Sequence, residues 1–175
     1  MSRYKNLPPG ERVPEIVNVV IEIPKGSSHK YEYNPDLDVI CLDRTLYSPM
    51  HYPGDYGFIP GTLAEDGDTL DALILLEQPT FPGCMIRAPP IGVLTMIDQG
   101  QQDAKVLAVS LGDPRMESVK NLQDVDEHLL REIRYFFDTY SELEGKKTTT
   151  QDWLDAEQAG KIIAAACERF RQKSE

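Results

Sequence analysis

The sequence changes character near Pro114, and this change constrains the fold more than any other feature. Before it, short runs rich in β-branched residues are separated by Pro, Gly and Asn turns. These predicted strands are 16–23, 30–33, 39–44, 72–76, 85–87, 91–98 and 103–109. After it, apolar residues recur every three or four positions, as in amphipathic helices. Many short strands followed by two helices predict an α+β fold, with a sheet or small closed barrel flanked by helices.

Two helices are predicted in the last third of the chain. The apolar stripe of the first comprises Leu129, Leu130, Ile133, Phe136, Phe137 and Tyr140, and Gly145 is expected to follow its end. Asp152 is expected to cap the second, whose stripe comprises Ala159, Ile162, Ile163, Ala166 and Phe170.

The length of 175 residues predicts a single domain spanning 1–175, with residues 1–12 as an N-terminal arm rich in Pro and Gly. We expect neither a signal peptide nor a membrane partner, because no apolar run is long enough to cross a bilayer. Cys41, Cys84 and Cys167 are widely spaced and odd in number. This cysteine usage favours a reducing compartment, so the expected location is cytoplasmic.

The net charge of −11 argues against nucleic acid as a partner, because a phosphate backbone requires a basic surface. A small phosphate compound remains compatible with this charge. Bound divalent cations can invert the local field of an acidic site.

Three closely spaced carboxylates, Asp66, Asp68 and Asp71, directly precede the apolar run 72–76. Taken alone, an Asp-Gly-Asp segment is more often a solvated turn. An EF-hand calcium loop is excluded, because its sixth position would be Asp71 where that loop requires Gly. The remaining functional interpretation is an oxygen-lined site for Mg²⁺ or Mn²⁺.

Further candidate groups lie near the other predicted strands. Asp98 and Asp103 are on the two sides of one predicted hairpin loop, although two polar hairpin residues would be equally ordinary. Cations and hydrogen-bond donors for an anionic substrate are Lys30, Arg44, Lys105, Tyr52, Tyr56 and Tyr140. Taken singly, each of these is more often a surface charge or a core aromatic residue.

Six motifs follow one another along the chain: 21–24 (Ile-Glu-Ile-Pro), 30–32 (Lys-Tyr-Glu), 42–44 (Leu-Asp-Arg), 52–57 (Tyr-Pro-Gly-Asp-Tyr-Gly), 66–71 (Asp-Gly-Asp-Thr-Leu-Asp) and the segment from Asp98 to Lys105. In their order and near-constant spacing, these motifs resemble those of soluble family I inorganic pyrophosphatases. The resemblance extends from about Val13 to the C-terminus.

The resemblance implies a small five-stranded OB-like β-barrel with flanking strands and two C-terminal helices. It also implies a homohexamer, with diphosphate and phosphate as small-molecule partners. The implied activity is Mg²⁺-dependent hydrolysis of diphosphate to two phosphates by a metal-activated water, with Mn²⁺ as a possible substitute for Mg²⁺.

The resemblance further implies a role for each matching residue. Asp68 is the expected general base. The expected metal ligands are Asp66, Asp71, Asp103, Asp98 and Glu22. The expected substrate contacts are Lys30, Arg44, Tyr56, Lys105 and Tyr140, supported by Glu32, Tyr52 and Asp55.

The chain departs from the family pattern at two positions. Thr69 replaces the usual Pro or Glu, and we expect it to shape the turn without a chemical role. Ser141 replaces the usual Lys after the phosphate-binding Tyr, so the chain lacks one of the expected phosphate-binding cations. We therefore expect Ser141→Lys to tighten phosphate binding.

Three other functions stay open at the level of sequence. One is a metal phosphohydrolase that acts on polyphosphate or a nucleotide. Another is an OB-like module that binds single-stranded nucleic acid, which the acidic charge opposes. The third is a divalent-cation-binding protein that no longer catalyses hydrolysis.

Overall fold

The predicted strands and helices are present in a computed structural model, which describes Tyr4 and residues 6–174. The strands in this part of the chain are β1 (Val17–Ile23), β2 (His29–Asn34), β3 (Val39–Thr45), β4 (Asp55–Ile59), β5 (Leu70–Leu75), β6 (Met85–Ala88), β7 (Pro90–Asp98), β8 (Gln101–Val109) and β9 (Thr148–Asp155). The α-helices are α1 (Glu127–Thr139) and α2 (Ala156–Ser174).

Seven of these strands form one sheet in the order β6-β1-β4-β5-β8-β7-β9, and β2 pairs with β3 in a separate hairpin. Strands β5 and β8 are parallel, whereas the other neighbours are antiparallel. A mixed sheet with two helices confirms the predicted α+β class. Because β6 and β9 are the edges of this sheet within the described residues, closure into a five-stranded barrel is not confirmed.

The central strand β5 is packed on both faces, and its alternating residues belong to two separate hydrophobic clusters. Ala72 and Ile74 lie in the cluster that includes Ile163 of α2. Leu73 and Leu75 lie in the cluster that includes the aromatic residues of α1. Side chains alternate across a strand, so the two helices stabilise opposite faces of the sheet. Each fully buried Leu or Ile contributes about 1.5–3 kcal/mol.

Strand β4 lies inside the segment 45–64 that the sequence predicts as one long loop. Its central residue is Gly57, which weakens strand character in sequence. A Cβ atom at Gly57 would lie 1.9 Å from the carbonyl oxygen of Val20 on β1. The Gly is therefore required for the close approach of two paired strands, and it does not mark a loop.

Strand β9 was not predicted from the sequence. Because β9 extends to Asp155, the second helix begins at Ala156, later than predicted. Asp152 lies in β9, so its predicted role as a helix cap is wrong. Instead, the Asp155 carboxylate accepts a hydrogen bond from the backbone N–H of Gln158 at 2.9 Å and caps α2. The predicted apolar stripe of α2 is confirmed, because Ala159, Ile163 and Ala166 are fully buried.

Helix α1 begins after Asp126, whose Oδ1 accepts hydrogen bonds from the backbone N–H groups of His128 and Leu129. Its stripe buries Ile133, Phe136 and Phe137 against the sheet, as predicted. Tyr140 is the residue that follows the helix, so packing of α1 determines where this tyrosine is held.

The segment before β1 packs on the sheet through Asn18. The backbone N–H of Asn18 donates to the carbonyl of Pro9 at 2.8 Å, and its side chain donates to that of Pro8 at 3.0 Å. Residues 1–3 and 5 of the predicted N-terminal arm lie outside the described residues. Among the helices in the described ranges, none combines the length and apolarity needed to cross a bilayer.

Candidate active site

Most of the predicted site residues come together in one cluster, although they belong to widely separated segments. They are Glu22 on β1, Lys30 and Glu32 on β2, Arg44 on β3, Tyr52 and Tyr56 at β4, Asp66 and Asp68 before β5, Asp71 on β5, Asp98 on β7, Asp103 and Lys105 on β8, and Tyr140 after α1. Direct contacts join some of them. The others lie close enough for their charges to affect the pKa values of Glu22, Tyr52, Asp68 and Tyr140.

Lys105 is the centre of the cluster. The parallel register of β5 and β8 places it beside Asp71. Its Nζ lies 2.6 Å from Asp71 Oδ2 and 2.7 Å from Asp103 Oδ2. Burial alone would lower the pKa of Lys105, but these two carboxylates outweigh it and raise the pKa. Lys105 therefore carries a permanent positive charge between two acids.

Tyr56 supports the same carboxylate from β4. Its hydroxyl donates to Asp71 Oδ2 at 2.6 Å. Burial, reinforced by the charges of Asp71 and Asp103, raises the pKa of Tyr56 well above its ordinary value. Tyr56 therefore remains a protonated donor, and it fixes the orientation of the Asp71 carboxylate.

The acidic loop, residues 62–69, is held by bonds at both of its ends. Thr62 Oγ1 donates to the carbonyl of Ile59 at 2.5 Å and accepts from the N–H of Leu70 at 3.0 Å. Within the loop, Asp66 Oδ1 accepts from the N–H of Asp68 at 3.0 Å. This turn exposes the side chains of Asp66 and Asp68 beside Asp71.

Three carboxylates of the cluster, Glu22, Asp68 and Asp103, are in environments that disfavour their charged forms. Burial raises the pKa of Glu22 to about 8, although its Oε1 accepts a hydrogen bond from the N–H of Tyr33 at 2.7 Å. Partial burial, followed by the charges of Asp66 and Asp71, raises the pKa of Asp68. Burial also raises the pKa of Asp103. A cation among these groups would relieve both the desolvation and the repulsion.

A hairpin joins β7 and β8 as predicted, with Asp98 and Asp103 on its two sides. Gln99 and Gly100, both with positive φ, form a two-residue turn. Asp98 pairs with Gln101 and Asp103 with Met96, so both acids lie on one face. Asp98 Oδ1 is buried and has no hydrogen-bond partner in the described part of the chain.

These acids fit a hard divalent cation by their donor chemistry. The predicted ligands Glu22, Asp66, Asp71, Asp98 and Asp103 supply oxygen atoms alone, as Mg²⁺ and Mn²⁺ prefer. The unpartnered Asp98 Oδ1 is an acceptor that such an ion could use. No group of three His, Cys, Asp or Glu residues in the described ranges is already arranged around a metal position. Lys105 lies between Asp71 and Asp103 instead.

Two of the three cations expected to bind phosphate, Lys30 and Arg44, lie on the hairpin of β2 and β3. Lys30 contacts Glu32 directly and lies 3.8 Å from Asp43. Arg44 contacts Asp43, and its Nη2 lies 2.8 Å from Glu144 Oε2. Burial alone would lower the pKa of Arg44, but Glu144 and Asp43 outweigh it and raise the pKa. Arg44 therefore keeps its charge.

Tyr140 and Tyr52 complete the aromatic side of the cluster. Burial raises the pKa of Tyr140 to about 12, with Lys105 opposing the shift and Asp98 adding to it. Burial likewise raises the pKa of Tyr52. The Tyr52 ring contacts Tyr56 and Phe136 at centroid distances of 5.5 and 4.8 Å. Both hydroxyls therefore remain protonated near neutral pH.

Asp55 supports the fold around the site. It is fully buried. Its carboxylate accepts hydrogen bonds from the N–H of Lys25 and from both the N–H and the hydroxyl of Thr80, at 2.7, 2.9 and 2.5 Å. These bonds join β4 to the connections that follow β1 and β5.

Glu144 is the residue that sequence reasoning missed. Its side chain is only 5% exposed and pairs with Arg44, whereas Lys146 Nζ lies 3.6 Å from the same carboxylate. Ser141, three residues earlier, is completely buried. The local sequence Ser-Glu-Leu-Glu carries no signal that separates Glu144 from the exposed Glu142, because only the fold brings one of them to Arg44. The effect of Ser141→Lys stays a prediction.

Comparisons with known proteins extend across this whole site. A family model described as inorganic pyrophosphatase matches residues 19–171. The chain is 49% identical over 158 residues to an inorganic pyrophosphatase of Halalkalibacterium halodurans, covering 90% of this chain and 97% of that protein. It is 45% identical over 174 residues to one of Thermus thermophilus, covering 98% and 99%.

Solved structures show the same similarity in three dimensions. The crystal structure of inorganic pyrophosphatase from Thermus thermophilus superposes with a TM-score of 0.94 at 44% identity, covering 96% of this chain and 98% of that one. An inorganic pyrophosphatase from Helicobacter pylori superposes with a TM-score of 0.91 at 35% identity, covering 95% and 99%.

Proposed function

The chain belongs to the inorganic pyrophosphatase family and is therefore a diphosphate hydrolase, and we propose that it performs this hydrolysis with Mg²⁺ and an activated water. The observation that carries the proposal is the division of the site into two sides. Buried carboxylates gather around Asp71 and Asp103, while Lys30 and Arg44 lie on the neighbouring hairpin. A complex of a divalent cation with diphosphate requires both kinds of group.

On the acidic side, Asp66, Asp71, Asp103, Asp98 and Glu22 would hold Mg²⁺, with Mn²⁺ as a substitute. When bound, Mg²⁺ supplies Lewis acidity, which neutralises phosphate charge and lowers the pKa of water. Tyr56 keeps the Asp71 carboxylate in one orientation through its 2.6 Å hydrogen bond. Lys105 limits the repulsion between Asp71 and Asp103 while they are close together.

Asp68 accepts the proton of the attacking water. Its exposed carboxylate is free to meet the water. Its raised pKa makes it a stronger base than an ordinary aspartate.

On the basic side, Lys30, Arg44 and Lys105 bind phosphate oxygens. Tyr140 donates a hydrogen bond from a hydroxyl that remains protonated. These groups stabilise charge that develops on the transferred and leaving phosphates. The hydrolysis converts one diphosphate tetraanion and one water into two hydrogen phosphate ions.

Phosphate release from diphosphate, tripolyphosphate and ATP, each with Mg²⁺ or with EDTA, tests the proposal. We expect rapid release from diphosphate with Mg²⁺ and much slower release in the other conditions. Comparable release from ATP or tripolyphosphate would indicate a broader phosphohydrolase. Release from none of them, together with tight Mg²⁺ binding, would indicate a cation-binding protein without this activity.

Assembly and location are part of the same proposal. We propose a homohexamer in the cytoplasm, as family membership and the scattered cysteines suggest. Light scattering coupled to size-exclusion chromatography would test the oligomer, and a monomer would contradict it.

A further inference from the structure

Four buried side-chain atoms in the described part of the chain have no hydrogen-bond partner, and all four belong to residues at the Arg44–Tyr140 end of the site. They are Arg44 Nε, Asp98 Oδ1, Ser141 Oγ and Glu144 Oε1. A buried polar atom that nothing satisfies is energetically unfavourable. A cation could satisfy the Asp98 oxygen, whereas the atoms of Arg44, Ser141 and Glu144 together point to a polar ligand that supplies the missing bonds.

The two carboxylate oxygens of Glu144 have different surroundings. Oε2 holds Arg44 Nη2 at 2.8 Å. Oε1 is buried without a partner. The short 3₁₀ turn Glu142–Glu144 fixes the backbone, because the N–H of Glu144 donates to the carbonyl of Ser141 at 3.0 Å. Oε2 therefore positions Arg44, the cation expected to bind phosphate, and Oε1 remains an acceptor beside it.

The unpartnered atoms define what a ligand at Arg44 must offer. The N–H of Arg44 requires an acceptor, and the Ser141 hydroxyl can donate or accept. The Glu144 carboxylate can only accept, and it repels an oxyanion that has no proton to share. Hydrogen phosphate has both acceptor oxygens and one P–OH donor. Sulfate, a dianion of similar size, has acceptors alone.

We propose that Glu144 is a specificity residue that selects the protonated form of phosphate at Arg44. Its Oε1 accepts the hydrogen bond of a P–OH group while Oε2 holds the guanidinium. This inference deepens the proposed function and rests on it. Both products of diphosphate hydrolysis are hydrogen phosphate near neutral pH, so the subsite matches the species that the reaction forms.

Anion binding to the Mg²⁺-loaded protein, measured by calorimetry at pH 8, tests this role. The probes are inorganic phosphate and sulfate, which are both mainly dianions at this pH. The variants are Glu144→Gln and the matched control Glu142→Gln, which removes the same charge from an exposed position in the same turn. Loss of a negative charge strengthens the binding of both anions. The ratio of the phosphate affinity to the sulfate affinity therefore reports on recognition of the P–OH proton.

We expect wild-type protein and Glu142→Gln to prefer phosphate. In Glu144→Gln the ratio should fall by about tenfold or more, because the charged acceptor becomes a neutral amide that can also donate to sulfate. An unchanged ratio in Glu144→Gln would overturn the inference, as would equal binding of both anions by the wild-type protein.

A second pair of anions tests the wild-type protein without relying on a variant. Arsenate carries a proton near neutral pH as phosphate does, whereas selenate carries none. We expect arsenate to bind with phosphate-like affinity and selenate with sulfate-like affinity, and selenate that binds as tightly as arsenate would contradict the role of Glu144. If the protein failed to hydrolyse diphosphate, these affinity ratios would still report on Glu144 separately.

Discussion

Asp68 and Asp71 are close in sequence, but their carboxylates lie in different environments. Asp71 accepts hydrogen bonds from Tyr56 and Lys105, so its orientation is fixed and its charge is compensated. Asp68 is exposed, and partial burial with the charges of Asp66 and Asp71 raises its pKa. The first environment suits a metal ligand, whereas the second suits a group that accepts a proton.

Asp68→Asn should therefore lower turnover by about 10²-fold or more while metal binding stays largely intact, because Asn cannot accept the proton. Steady-state phosphate release and Mn²⁺ calorimetry measure the two properties. Asp66→Asn is the control, and we expect it to weaken Mn²⁺ binding. Near-normal turnover in Asp68→Asn would remove this residue from the role of base.

At the scale of elements, the acidic loop depends on Thr62, which is 1% exposed. Its hydroxyl bonds both the residue that ends β4 and the residue that starts β5. Helix α2 holds the same loop, since the Leu63 N–H donates to the carbonyl of Ala166 at 2.9 Å and its carbonyl accepts from Arg169 Nε at 2.9 Å. The position of Asp66 and Asp68 is therefore set by two strands and a helix.

Thr62→Val should lower the free energy of unfolding by about 1–3 kcal/mol, because two buried backbone groups lose their partner. It should also weaken Mn²⁺ binding by moving the loop that carries Asp66. Urea unfolding and calorimetry measure these effects. Thr62→Ser keeps the hydroxyl and should retain Mn²⁺ affinity, so equal losses in both variants would contradict the role of the hydroxyl.

The close pairing of β1 with β4 leads to a second prediction at this scale. Gly57→Ala should lower the free energy of unfolding by about 3 kcal/mol or more, since its Cβ would lie 1.9 Å from the Val20 carbonyl oxygen. In Gly112→Ala the new Cβ meets nothing within 4 Å, although φ is +95°. This control should cost only about 1 kcal/mol. Similar urea midpoints for the two variants would refute the steric argument.

At the scale of the whole molecule, the buried acids connect stability to pH and to metal. The pKa of Glu22 is about 8 in the fold, against an ordinary value of 4.5. Between these values the folded state keeps a proton that the unfolded chain has lost, so stability decreases as pH rises. Raised pKa values at Asp103 and Asp68 act in the same direction.

We therefore expect the protein in EDTA to lose stability as pH rises from about 4.5 to 8, and Mg²⁺ to reduce this loss by binding the ionised acids. Urea midpoints measured across this range, with and without Mg²⁺, test it. Glu22→Gln should flatten the profile in EDTA. A profile in EDTA that rises with pH, or that is unaffected by Glu22→Gln, would disprove this assignment.

The α+β class and most strands could be predicted from the sequence, because they depend on local patterns, and the six motifs indicated the candidate acidic and basic residues of the site. Short apolar runs indicate strands, and closely spaced aspartates indicate a candidate cation site; both patterns can be recognised without knowing the tertiary structure. The strands β4 and β9 could not be predicted in this way, because Gly57 and the polar residues of β9 are held in strands by pairing with neighbouring strands of the sheet. The same holds for Lys105 between two acids and for Glu144 beside Arg44. Such contacts join residues far apart in the chain, and no local periodicity encodes them.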